Sequence, residues 1–222
     1  MTRVDDVGQI VILNGAPRSG KSSIARMIQS TFEGPWMNLG VDTCRQATPE
    51  RYQPGIGLRP GGERPDLEPL VVTMYLALYD AVAAHSRLGL DVVVDVGHHD
   101  AFSAPRRVLP TVAARLVGLP VLFVGVRCPL DVIMQRRDAG EPGREGRYVT
   151  GRGEEPVPEP VRRWQDAVHD PGVYDLELDT STMTPVECAR SIRERLDRGP
   201  PPTAFGRLLE LSRSRSGPRA RG

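Results

Sequence analysis

Lysine is almost absent from this sequence. Among 222 residues there are 29 basic side chains, and Lys21 is the one lysine, so 28 are arginine. A general bias toward arginine accounts for the 28 and leaves the exception unexplained. Lysine is a compact point charge on a slim stem, whereas arginine is a planar fork. A lone lysine therefore suggests a site that a guanidinium does not fit. Aromatic residues are scarce too, at 5%, which argues against a base-stacking RNA surface or an aromatic-lined sugar site. No charge excess exists, since 28 acidic residues nearly cancel the 29 basic ones. A general nucleic-acid binder carries a strong basic surplus, so nucleic acid is not an expected partner. Long hydrophobic runs are missing as well. The longest, residues 70–79, is broken by Thr73 and is too short for a bilayer, so no membrane association is expected. Met1 to Gln9 carries charges and lacks the apolar core of a secretion signal. The three cysteines (Cys44, Cys128, Cys188) are odd in number and form no CxxC pair. Neither a disulfide framework nor a zinc site is expected, and a reducing, cytoplasmic setting is.

What is present is an alternation of strands and helices. Apolar runs predict strands at 9–14, 36–41, 91–95, 121–126 and 174–178. Helical spacing predicts helices at 21–31, 66–88, 104–117, 130–137, 161–169 and 185–198. This pattern implies an α/β fold, a five-stranded parallel sheet flanked by helices, with ligands beyond the carboxyl ends of the strands. One domain is expected over residues 1–198. Within it, 43–65 is a long polar connector on the acceptor side, and 139–160 is a Gly- and Arg-rich lid carrying Arg144, Arg147 and Arg152. Residues 199–222 form a Pro-, Ser- and Arg-rich tail, expected to be flexible. Its Leu208, Leu209 and Leu211 could dock on the domain or on a second subunit, which leaves a homo-oligomer open.

The first loop reads Gly15-Ala16-Pro17-Arg18-Ser19-Gly20-Lys21-Ser22, followed by Ser23. This is the phosphate-binding pattern GxxxxGK[ST], with a strand before it and a helix after it. Glycines let the backbone curl around an anion, and the helix N-terminus adds partial positive charge. Lys21 can reach the outer phosphates, and the Ser22 hydroxyl can ligate Mg²⁺. Pro17 has no N–H, so the cradle comes mainly from residues 18 to 23. Asp42, at the expected end of the second strand, either takes a proton from an acceptor hydroxyl or caps a following helix. On position alone the two readings stand level. Asp95, ending the third strand, suits Mg²⁺ or its waters. His98, His99 and Asp100 follow it and read as a solvated loop or as substrate contacts rather than a zinc site. Arg136 and Arg137 end a helix just before the lid, where positive charge can meet the migrating phosphoryl group. A nucleotide-binding regulator and a polynucleotide-end kinase are the alternatives to a small-molecule kinase.

Four segments carry a resemblance to a known family. They are Ile10 to Gly15 running into Gly20-Lys21-Ser22, then Pro35-Trp36 with Gly40-Val41-Asp42. Val124 to Cys128 is the third, and Val173 to Thr180 followed by Glu187-Cys188-Ala189 is the last. Together they resemble the chloramphenicol phosphotransferase family, small P-loop kinases similar in fold to adenylate and shikimate kinases. The resemblance implies ATP and Mg²⁺ as cofactors and a small hydroxylated metabolite or antibiotic as acceptor. It implies catalytic roles for Asp42, Lys21 and Arg136, with Asp42 as the base. It also implies contact between the loop at Thr180 and the adenine. The stretch after Asp42 departs from the family pattern in being cationic, with Arg45, Arg51, Arg59 and Arg64.

Overall fold

The computed structural model describes residues 7–140 and 157–214. The expected lid falls largely on residues 141–156, with Arg144, Arg147 and Arg152, and so lies outside the described residues. Five parallel strands form one sheet: β1 (Ile10–Asn14), β2 (Trp36–Asn38), β3 (Asp91–Val96), β4 (Val121–Arg127) and β5 (Leu176–Asp179). Their order across the sheet is β2-β3-β1-β4-β5. All five residues of β1 are buried, as a central parallel strand covered on both faces requires. Leu13 lies level with Asp95 on β3 and with Val124 on β4, which aligns the strand ends on one rim.

Helices cover both faces. On one face α1 (Lys21–Thr31) and α7 (Pro185–Arg198) pack over Val11, Leu13 and Val124. The other face is covered by α3 (Glu68–Arg87), α4 (Val108–Ala113) and α8 (Ala204–Ser214) over Ile10, Ile12 and Phe123. At the carboxyl rim, α2 (Val41–Ala47), α5 (Leu130–Asp138) and α6 (Glu159–Ala167) frame the strand ends. None of the described helices is long and apolar enough to cross a membrane.

Four expectations change. The second strand stops at Asn38, and the chain turns at Gly40 into α2. A Cβ at position 40 would sit 1.6 Å from Asp95 Oδ1, so glycine is what leaves room for the Asp95 carboxylate there. The expected connector is therefore structured. It holds α2 and two 3₁₀ turns, at Glu50–Tyr52 and Gly55–Gly57. The helix expected from 104 begins only at Val108, after Arg107 takes a left-handed backbone. Residues 204–214 are not a flexible tail. They form α8, with Ala204, Phe205 and Leu208 buried. Its first turn is capped from far away in sequence, because Asp175 Oδ1 accepts from the N–H groups of Thr203 (2.6 Å) and Ala204 (2.9 Å). Phe205 meets Phe123 edge to face at 5.2 Å. Residues 215–222 lie outside the described residues.

Phe205→Ala is accordingly expected to cost about 3 kcal/mol of unfolding free energy, as for a buried aromatic truncated in a core. Chemical denaturation checks this, and a loss below about 0.5 kcal/mol, the scale of an ordinary surface substitution, would show that α8 is an ornament.

Candidate active site

The phosphate loop joins β1 to α1. Gly20 caps α1 with a left-handed backbone (φ 96°), and Arg18 is left-handed as well (φ 74°). A bulky residue in that region is strained, and such strain gathers at functional sites. Lys21 Nζ donates to the carbonyl oxygens of Gly15 and Ala16, both at 2.8 Å. Burial brings the Lys21 ammonium down to a pKa of about 8, against the opposing pull of Asp95 and Asp42. Ser22 Oγ donates to Asp95 Oδ2 at 2.6 Å. Asp95 is buried and lies one residue before the end of β3.

Lys21 and Ser22 stand between two cavities. The first, about 340 Å³, is lined by Gly20, Ser23, Arg26, Thr180, Met183 and Arg136. Here Arg136 donates to Arg18 O (3.2 Å), Thr180 Oγ1 (3.1 Å) and Thr180 O (2.7 Å). Thr180 Oγ1 in turn donates to Ser19 O at 2.8 Å. The loop after β5 is thus tied directly to the phosphate loop. Arg18 reaches across to the carbonyl oxygens of Arg136 and Gly140.

The second cavity, about 550 Å³, lies on the other side of Lys21 and includes Asp42, Arg45, Asp95 and Trp164. Asp42 sits in the first turn of α2 rather than at a strand end, and Gly40 is the N-cap. The carboxylate is therefore not the cap, although its position suits the positive end of the helix. Apolar walls come from Val41, Ile56, Leu58 and Val161.

The structure thus brings Lys21, Ser22, Asp95 and Asp42 together and sets Arg136 and Thr180 on the far side of Lys21. Arg137, not Arg136, lines the cavity of Asp42. His98 and His99 are not a solvated loop but are buried. His98 Nε2 shares a 2.6 Å hydrogen bond with the Tyr79 hydroxyl, and burial holds its pKa down to about 3. His99 Nε2 meets Leu58 O at 2.9 Å. Tyr75 and Tyr79 of α3 pack against His98, and Phe102 and Trp164 pack against His99, contacts that the sequence does not announce.

Most of the chain is similar to known proteins. It matches the chloramphenicol phosphotransferase-like protein family over residues 8–197. The chain belongs to that family. A relative within reach of sequence is Rv2636, a proposed O-phosphotransferase of Mycobacterium tuberculosis H37Rv. It is 29% identical over 216 residues, covering 90% of this chain and 88% of the relative. A sugar kinase from Janibacter sp. HTCC2649 shares the fold with a TM-score of 0.57 at 18% identity, covering 86% of this chain and 95% of that one. The APS kinase CysC of M. tuberculosis does so with a TM-score of 0.54 at 20% identity, covering 86% and 99%. This member of the phosphotransferase-like family is a kinase with the P-loop fold.

Sequence reasoning missed three residues of this family member's site: Asn14, Gly40 and Trp164. Asn14, the last residue of β1, is buried behind the phosphate loop. Its amide donates to Val168 O (2.8 Å) and the Tyr174 hydroxyl (2.9 Å), and its oxygen accepts from the His98 N–H (2.7 Å). Gly40 makes room for Asp95. Trp164 lines the second cavity from α6. Asn14 alone had a signal, a polar residue closing an apolar strand.

Proposed function

We propose that this kinase moves the γ-phosphate of ATP to a hydroxyl of a small metabolite or antibiotic. One observation carries the reading. Lys21 stands at the junction of two cavities, with the phosphate loop and Thr180 on one side and Asp42 on the other. ATP fills the first cavity, with residues 15–23 around its phosphates and Thr180 toward the adenine. The acceptor fills the second.

The residues fit a Mg²⁺ ion of the usual nucleotide kind. The Ser22 hydroxyl and the Asp95 carboxylate already meet at 2.6 Å. Among the described residues no cluster of three His, Cys, Asp or Glu forms an all-protein cage, and Mg²⁺ bound with phosphates does not need one. Ser22 and Asp95 would hold the ion, which neutralises phosphate charge when bound. Asp42 orients the acceptor hydroxyl and takes its proton. The hydroxyl oxygen forms a bond to the γ-phosphorus as the bond to the β,γ-bridging oxygen breaks. ADP leaves with that electron pair. Lys21 meets the charge that develops on the transferred group, and Arg136 braces the nucleotide side through Thr180. A cytoplasmic location, where ATP is abundant and Cys44, Cys128 and Cys188 stay reduced, accords with this reading.

Phosphorus-31 NMR of ATP turned over with pooled hydroxylated natural products tests it. A phosphate-ester resonance is expected to grow in step with ADP. Release of inorganic phosphate alone, for every pool, would favour a nucleotide-hydrolysing regulator.

A further inference from the structure

The acceptor-side cavity holds more positive charge than phosphoryl transfer uses. Lys21 and Arg18 belong to the phosphate loop. Arg64, at the rim, is committed to Asp66 through two hydrogen bonds of 2.9 and 2.7 Å. Arg137 also lines the cavity and has a partner of its own. Two further arginines of the lining keep guanidinium donors with no partner among the described residues. Arg45 is half-buried on α2 and donates only through Nε, to Gln53 Oε1 at 3.2 Å. Arg59 is half-buried and makes no hydrogen bond or ion pair with any described residue. Both leave guanidinium donors available to a ligand in the cavity.

The backbone that presents them is fixed. Gln53 Nε2 ties the first 3₁₀ turn to Thr48 O at 3.1 Å. The Tyr75 hydroxyl holds Ile56 O at 3.0 Å, and His99 holds Leu58 O, next to Arg59, at 2.9 Å. Both tethers come from buried side chains. Opposing carboxylates do not cancel this charge. The lining carries six basic side chains, Arg18, Lys21, Arg45, Arg59, Arg64 and Arg137, against three acidic ones, Asp42, Glu63 and Asp95. Glu63 is exposed at the rim and pairs with neither arginine.

Spacing sets the size of the ligand. Asp42 and Arg45 are three residues apart on α2, so they share a face about one turn, roughly 5 Å, along the axis. The same cavity is lined by Ile56, Leu58 and Trp164, and the buried Trp164 Nε1–H has no partner among the described residues.

We propose that the acceptor is a small alcohol that also carries an oxyanion, either a carboxylate or a phosphate or sulfate ester. Arg45 and Arg59 hold the oxyanion, Trp164 donates to a further oxygen, and the hydroxyl points at Asp42. This rests on the reading of the second cavity as the acceptor site.

The test uses the full chain with Mg²⁺ and a saturating non-hydrolysable ATP analogue, so that the phosphate loop is already filled. Inorganic phosphate and acetate are titrated separately, and the melting temperature is followed. Wild type is expected to show saturable stabilisation by at least one anion. A response to acetate marks a carboxylic acid, and a response to phosphate alone marks a phosphate or sulfate ester. Arg45→Ala and Arg59→Ala should each raise the half-saturating concentration at least tenfold, while Arg64→Ala leaves it unchanged. All three should keep the full shift caused by the nucleotide analogue, which shows that they fold. No saturable response in wild type, or equal responses in wild type and both variants, overturns the proposal. If the analogue itself fails to stabilise the protein, the nucleotide reading falls. The anion titration is then repeated on Lys21→Ala, where the same two variants still decide the oxyanion site.

Discussion

Lys21→Ala is expected to abolish nucleotide-dependent thermal stabilisation, or to weaken nucleotide affinity by about 10²-fold or more, since it removes charge-assisted hydrogen bonds. The nucleotide-free protein should remain folded. Without a ligand, Lys21 spends its donors on the Gly15 and Ala16 carbonyl oxygens, and burial has already lowered its pKa to about 8. A lysine whose folded pKa lies below its unfolded value costs stability while charged in both states. That cost is full below pH 8 and is relieved as pH rises from about 8 toward 10.5. Bound phosphates favour the charged amine. Nucleotide binding above pH 8 should therefore take up a proton, and affinity should fall as pH rises. The variant should lose this dependence. Thermal shifts at pH 7 and pH 9.5 provide the check, and equal stabilisation of both proteins would remove the phosphate-loop reading.

Asp42→Asn should act on turnover rather than on binding. The substitution keeps shape and first-turn position in α2 but removes the proton acceptor. A positioned general base is worth about 10² to 10⁴ in rate, so phosphate-ester formation should fall by that factor with nucleotide-induced stabilisation retained. Normal turnover would make Asp42 a structural residue of the helix start, and the base would have to lie elsewhere in the cavity.

The parts legible in the sequence were those with local causes. The helices at 21–31 and 185–198 match to the residue, because each carries its own start. The first has the glycine loop. The second has Thr184, whose side chain bonds reciprocally with Glu187, and Pro185 in its first turn. The sheet and the Lys21–Ser22–Asp95 group followed from the same local pattern. What was missed has distant causes. The need for glycine at position 40 comes from a carboxylate 55 positions onward, at Asp95. The start of α8 is capped by Asp175, and the burial of His98 depends on Tyr79. No window of neighbouring residues holds both halves of such a contact. The arginines at 45 and 59 were visible as charge. Only the tethers through Tyr75 and His99 turn them from a polar stretch into a wall.

The position of the single lysine has a practical side for chemical labelling. A reagent that acylates amines finds one side-chain amine in these 222 residues, and it lies between the two cavities. With its pKa brought to about 8, that amine is more often neutral, and so more nucleophilic, than an ordinary surface lysine at the same pH. Its donors are also engaged by the loop carbonyls, and anything bound in either cavity would shield it. Side-chain amine modification of this protein is therefore a readout of site occupancy, with no background from lysines elsewhere on the surface.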